Sequence, residues 1–152
     1  MFKNEKQLRK LMRDCSCKTL WWIEPNLGSS DGLPDCFTLV DPRGELVFAE
    51  LKRGWLGIDG VLKFEVRRAQ RDVIGDMMAL GADGAVVVAQ IGGAVVHVFS
   101  VRDYPGALDG AVDLLSCDAP EKVVKGSIMG CEAVWNCYGE GSRAVLRGLG
   151  IG

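Results

Sequence analysis

Gly32-Leu33-Pro34-Asp35-Cys36-Phe37-Thr38-Leu39-Val40 is followed by Asp41-Pro42-Arg43-Gly44 and then by Glu45-Leu46-Val47-Phe48-Ala49-Glu50-Leu51-Lys52. The middle piece has turn composition and the flanking pieces are apolar, so residues 35–41 and 45–52 are expected to form a β-hairpin. Side chains alternate across a strand, which puts Glu50 and Lys52 on one face and Ala49 and Leu51 on the other. Leu46-Val47-Phe48 is an unbroken apolar run, as in a strand buried on both faces. Two charges at the end of such a strand need a partner or a chemical role. The hairpin folds Asp35 back towards Glu50, and two carboxylates with a lysine make a divalent-metal site with a charge stabiliser beside it.

Downstream, Arg53 to Lys63 contains Gly54, Gly57 and Gly60 and reads as a loop. Its Trp55 suits either stacking on an unpaired base or covering the edge of the core. A helix is expected from Glu65 to Leu80, stopped by Gly81, with Val66, Val73, Ile74 and Met77 as its inward stripe. Gln70 lies within that stripe, and a polar amide on an apolar face must find a partner. Arg67, Arg68 and Arg71 flank it, placed either for phosphate contacts or for a salt-bridged surface, the latter favoured for Arg71 beside Asp72. Gly84–Ala89 and Ala94–Phe99 read as strands joined through Gln90-Ile91-Gly92-Gly93. The strand–helix–strand run from Val47 to Val88 then requires a right-handed parallel crossover. His97, the one histidine, falls inside the last of these strands and is expected to be structural.

Upstream, Asn4 and Gln7 have capping-box spacing at the start of a helix carrying Leu8, Leu11 and Met12 inward. Glu5 falls in its first turn, where the helix dipole favours a carboxylate. Leu20-Trp21-Trp22-Ile23 reads as a strand ended by Glu24-Pro25-Asn26, with Glu24 an alternative acid to Glu5 near the site. Gly28 to Gly32 is a flexible loop, a connection or an approach path to Asp35. Past Ser100 a short helix is expected over Ala107–Leu115, and residues 116–152 carry no motif.

The combination of Gly32-x-Pro34-Asp35, Glu50-x-Lys52, and Gln70 on the helix ahead of the strand from Gly84 resembles the PD-(D/E)XK nuclease superfamily, most closely its VRR-NUC (virus-type replication-repair nuclease) branch. The resemblance covers roughly residues 1 to 99. It implies an α/β fold with a restriction-endonuclease-like αβββαβ core, a mixed central sheet flanked by helices, over residues 1–100. Residues 101–152 would be a C-terminal extension of the same domain. It further implies a Mg²⁺- or Mn²⁺-dependent endodeoxyribonuclease, with the ion held by Asp35, Glu50 and the Leu51 backbone carbonyl. Lys52 would orient the attacking water or stabilise developing charge, Gln70 would reach that lysine or a water, and Glu5 would lie near the metal. Arg53, Arg67, Arg68 and Trp55 would contact DNA. Members of this branch suggest branched DNA such as four-way junctions, a homodimer, roles in DNA repair and recombination, and a viral origin with action in the host cytoplasm.

The totals are compatible with this. One chain of 152 residues, 48% hydrophobic and 25% charged, is long enough for a single core and too apolar to be disordered. No apolar run approaches the ~20 residues of a membrane helix, and the first residues lack a signal core, so a cytoplasmic protein is expected. Net charge is −2, but residues 1–18 carry six Lys or Arg against two acids and residues 43–71 seven against four, while residues 101–152 carry five against seven. The basic excess thus borders the proposed site. The six cysteines are irregularly spaced, and Cys15-x-Cys17 without a second spaced pair is a weak zinc signal. The competing reading is a catalytically silent protein that uses the same fold to bind nucleic acid or a partner.

Overall fold

The computed structural model describes residues 2–13, 19–21, 34–40, 45–93, 95–115, 122–125 and 143–147. In chain order its elements are α1 (Glu5–Arg13), β1 (Thr19–Trp21), β2 (Cys36–Val40), β3 (Glu45–Leu56), β4 (Val61–Phe64), α2 (Arg68–Ala79), β5 (Asp83–Gln90) and β6 (Val95–Ser100). A 3₁₀ turn (Pro105–Asp109), β7 (Ala111–Asp113), β8 (Lys122–Lys125) and β9 (Arg143–Arg147) complete the series. All the strands join one mixed sheet in the order β1-β2-β3-β5-β6-β9-β8, and β4 branches from β3 to reach β7. The chain is therefore a mixed α/β protein with two α-helices among the described residues.

β2 and β3 form the expected antiparallel pair, with Cys36 opposite Ala49 and Val40 opposite Glu45. β3 and β5 run parallel, Val47 beside Asp83 and Gly54 beside Gln90, with α2 as the crossover. Every β5 residue from Asp83 to Ala89 is buried, because neighbouring strands flank it on both sides and both its faces are covered. On one face Val86 and Val88 pack with Leu62, Phe64, Phe99 and Val101, and Met78 of α2 closes over them. Gly84 lets α2 approach: a Cβ there would sit 2.9 Å from Ile74 Cγ2. The alternate set, Ala85, Val87 and Ala89, is equally buried, and Leu8 and Met12 are fully buried on α1, which packs on β3. No described helix is long and apolar enough to cross a membrane.

Several expectations are corrected. Arg53–Lys63 is not a loop: β3 continues to Leu56, turns at Gly57–Gly60 and returns as β4. Gly60 adopts φ 79°, and the Asp59 side chain accepts a hydrogen bond from Val61 N–H at 3.1 Å, so these two residues make a tight turn within a hairpin. The core order is consequently αββββαββ rather than αβββαβ. α2 begins at Arg68 instead of Glu65, since Arg67 is extended (φ −71°, ψ 150°), and it ends ahead of Gly81 as expected. Ala107–Leu115 is not a helix; Pro105 starts a 3₁₀ turn that Gly110 ends, and β7 then pairs with β4. In the C-terminal extension, β9 extends the sheet beside β6, with β8 parallel to it. The expectations for Glu24, the Gly28–Gly32 loop, the Asp41–Gly44 turn and the Cys15-x-Cys17 pair lie outside the described residues.

Candidate active site

The site forms where β3 changes partners. β2 pairs with it only as far as Ala49, and pairing with β4 starts at Gly54, so no described strand pairs with Glu50–Arg53 on that side. Pro34 has no N–H to donate and so ends the ladder ahead of β2. The side chain of Asp35 then takes the place of the missing strand: its Oδ2 accepts from Leu51 N–H at 2.7 Å. In a strand a residue's N–H and C=O leave on the same side, so the Leu51 carbonyl also faces this split.

Glu50 and Lys52 project together to the face that α2 covers. Gln70 meets both: its Nε2 donates to Glu50 Oε1 at 2.7 Å and its Oε1 accepts from Lys52 Nζ at 2.8 Å. The same Oε1 accepts from Arg67 N–H at 3.0 Å, the reach-back of a third helical residue to the cap. Helix start and site therefore share one amide. Lys52 Nζ lies 3.6 Å from Glu50 Oε1. Asp35, Glu50, Lys52 and Gln70 are all buried, and Glu50 is only 2% exposed.

The electrostatics are unbalanced. Burial pushes the Glu50 carboxyl up to about 9; the neighbouring Asp35 carboxylate adds to this through its charge, Lys52 opposes it, and a hydrogen bond between the two carboxyls raises it further. Among the described residues no hydrogen-bond donor reaches the buried Glu50 Oε2. The Cys36 thiol, next to Asp35, is raised by burial and by both carboxylates, which keeps it protonated and inert. Glu5 is raised by burial, against the pull of Arg9.

Arg9 is the residue that sequence reasoning missed. Its Nη2 donates to Glu5 Oε1 at 2.8 Å and to Asp35 Oδ1 at 3.2 Å. Glu5 thus reaches the site through Arg9. The i, i+4 spacing of Glu5 and Arg9 was visible in the sequence as a helix pair, but its third member was not.

The proposed nucleic-acid contacts lie apart from this cluster. Arg53 and Trp55 point to the opposite face of β3 from Glu50 and Lys52. Trp55 is 50% exposed, the Arg53 guanidinium lies 5.3 Å from its ring centroid, and Lys63 stands opposite Trp55 on β4. Arg68 is exposed at the start of α2, 3.8 Å from Asp72, and Arg67 is exposed beside it. Arg71 pairs with Asp109 at 3.1 Å rather than with Asp72. His97 bonds Gln90 Oε1 through Nε2 at 3.0 Å and stacks parallel to Phe99, a structural setting.

Among the described residues no group of three or more His, Cys, Asp or Glu side chains is disposed to hold a metal ion. The carboxyls of Asp35 and Glu50 meet at the split, and strand geometry directs the Leu51 carbonyl to the same side. Three hard donors suit an ion that keeps several of its waters, as Mg²⁺ does. The unpartnered Glu50 oxygen and the two adjacent carboxyls fit that use, since a divalent charge would satisfy the one and relieve the repulsion of the other. Comparison with protein-family models, with curated proteins and with solved structures finds no match to this chain.

Proposed function

We propose that this protein is a metal-dependent endonuclease that hydrolyses DNA phosphodiesters, built on the PD-(D/E)XK plan and nearest its VRR-NUC branch. The observation that carries this reading is the buried Glu50 carboxyl, set against Asp35 and Lys52, whose Oε2 meets no donor among the described residues. Asp35, Glu50 and the Leu51 carbonyl would hold Mg²⁺ or Mn²⁺. Such an ion supplies a bound water of lowered pKa and draws charge from the phosphate. Lys52, held by Gln70 at 2.8 Å, is fixed in position to stabilise charge developing on the phosphoryl oxygens. Gln70 holds Glu50 Oε1 at the same time, so carboxylate and ammonium keep one relative geometry. The exposed Arg53, Trp55, Arg67 and Arg68 supply phosphate and base contacts.

The substrate preference proposed is branched DNA, including four-way junctions, cut by a homodimer whose two-fold symmetry matches the substrate, in the cytoplasm of a host cell. The competing reading is a silent binder. It draws on Asp35 already having both oxygens engaged, by Arg9 and by Leu51 N–H. A panel of linear, flapped and four-way DNAs incubated with Mg²⁺ or Mn²⁺ separates the two. Metal-dependent cutting by the wild type that Glu50→Ala loses while still binding DNA supports the enzyme. Equal behaviour of the two proteins on every substrate rejects it.

A further inference from the structure

We propose that Arg9 is a built-in competitor for the divalent ion: its guanidinium bridges Glu5 and Asp35 and must withdraw to Glu5 when an ion binds Asp35. This rests on the metal-site reading above and adds a control element to it.

Asp35 Oδ2 is anchored in the sheet by Leu51 N–H at 2.7 Å, where it substitutes for a ladder bond. Oδ1 is therefore the oxygen left for an ion, and Arg9 Nη2 holds it at 3.2 Å. A guanidinium and a divalent cation cannot share one buried oxygen without strong repulsion, because Coulomb energies grow as water is excluded. One of them must leave. The same Arg9 nitrogen already has a second acid, Glu5 Oε1, at 2.8 Å. Arg9 can give up Asp35 and remain paired.

The two carboxyls of the site differ accordingly. Asp35 is paired with Arg9, whereas no donor reaches Glu50 Oε2 among the described residues. Arg9 thus lowers the repulsion between Asp35 and Glu50 when no ion is present, and it reduces apparent metal affinity by the fraction of molecules in which Asp35 is taken. Glu5 acts on the ion through Arg9, as a positioning residue that draws the guanidinium away.

The test is Mn²⁺ titration by calorimetry, with melting curves in chelator and in saturating Mn²⁺, on wild type, Arg9→Gln, Arg9→Lys, Glu5→Gln and the double variant. Competition requires Arg9→Gln to bind Mn²⁺ about tenfold more tightly than wild type. It also requires that variant to melt lower than wild type in chelator and to recover in Mn²⁺. Arg9→Lys, which keeps the charge but not the fork, falls between and controls for folding. Glu5→Gln binds Mn²⁺ more weakly, and the double variant returns to the affinity of Arg9→Gln. Mn²⁺ binding by Arg9→Gln that equals or falls below wild type overturns the competition while leaving the metal site standing. A double variant as weak as Glu5→Gln replaces it with direct ligation by Glu5. Absence of Mn²⁺ binding in every protein, Arg9→Gln included, removes both this inference and the metal site itself.

Discussion

Glu50 and Asp83 are carboxylates on adjacent parallel strands, 2% and 5% exposed. Asp83 is paired with the Arg102 guanidinium, which reaches in from the surface. Glu50 is different: it stands beside a second carboxyl, its nearest described cation at 3.6 Å is shared with Gln70, and one of its oxygens meets no donor among the described residues. A polar cluster that serves the fold closes on itself, because an unsatisfied buried charge is costly. The cluster at the split in β3 is left open, and an open cluster makes sense where something from outside completes it.

The sharpest way to break this contrast is to neutralise each acid in turn. Glu50→Gln is expected to lower metal-dependent DNA cleavage by at least about 10³-fold, on the scale of losing a key charge-stabilising group. Its folded state should be as stable as wild type or more so, since an amide no longer opposes Asp35. Asp83→Asn should leave cleavage intact and lose about 1–3 kcal/mol of stability, as for a charged hydrogen bond removed from a buried site. Single-turnover cleavage and urea unfolding read the two effects separately. If both substitutions destabilise alike and neither touches cleavage, Glu50 is merely another structural acid.

The second test is pH. The Glu50 carboxyl rises from the ordinary 4.5 to about 9 on folding, so the folded protein holds a proton that the unfolded chain releases. Its contribution is fully present below about pH 4.5 and is lost as pH climbs towards 9, by at most ~1.4 kcal/mol per pH unit. Glu5 shifts in the same direction. In chelator, unfolding free energy should therefore fall between pH 5 and 8, and Glu50→Gln should flatten the decline. Saturating Mn²⁺ should flatten it too, because an ion favours the ionised carboxylate. A metal-free wild type whose stability is level across that window would mean that Glu50 is solvated after all.

A third pair compares two glutamines. Gln70 serves Glu50, Lys52 and the Arg67 N–H, whereas Gln90 serves His97. Gln70→Ala should lower cleavage about 10- to 100-fold, the usual loss when a group that orients metal ligands is removed. Gln90→Ala should affect stability alone, by about 1 kcal/mol.

The sequence made the open cluster legible and the closed ones not, for a physical reason. Glu50 and Lys52 share a face through strand alternation, and Gln70 interrupts an apolar helical stripe, so each stands out within a few residues of its neighbours. The Asp83–Arg102 pair, and the Asp35–Arg9 contact inside the open cluster itself, join residues 19 and 26 apart, and no local period reports such contacts. β4 was hidden by Gly54, Gly57 and Gly60, which imitate a loop. Gly54 is in fact a strand residue, where a Cβ would meet Val88 Cγ1 at 2.6 Å. The short β7, β8 and β9 exist through pairing with distant strands, and three to five residues carry too little pattern to announce it.

The contrast between open and closed extends to the surface, where its effects are smallest. Arg71 is committed to Asp109 at 3.1 Å, while Arg53 lies over the Trp55 ring, with Lys63 opposite Trp55 on the neighbouring strand. A cation stacked on an aromatic ring keeps its charge for a phosphate; a cation paired with a carboxylate has already spent it. Arg53→Ala should weaken DNA binding a few-fold at low salt and reduce the slope of log affinity against log salt by about 0.9, the signature of one lost phosphate contact. Arg71→Ala should change neither quantity. Fluorescence anisotropy over a salt series, in chelator so that no cutting intervenes, measures both. If Arg71 proves to carry the salt dependence and Arg53 does not, the DNA path runs over the exposed side of α2, and the β3–β4 hairpin loses its assigned contact.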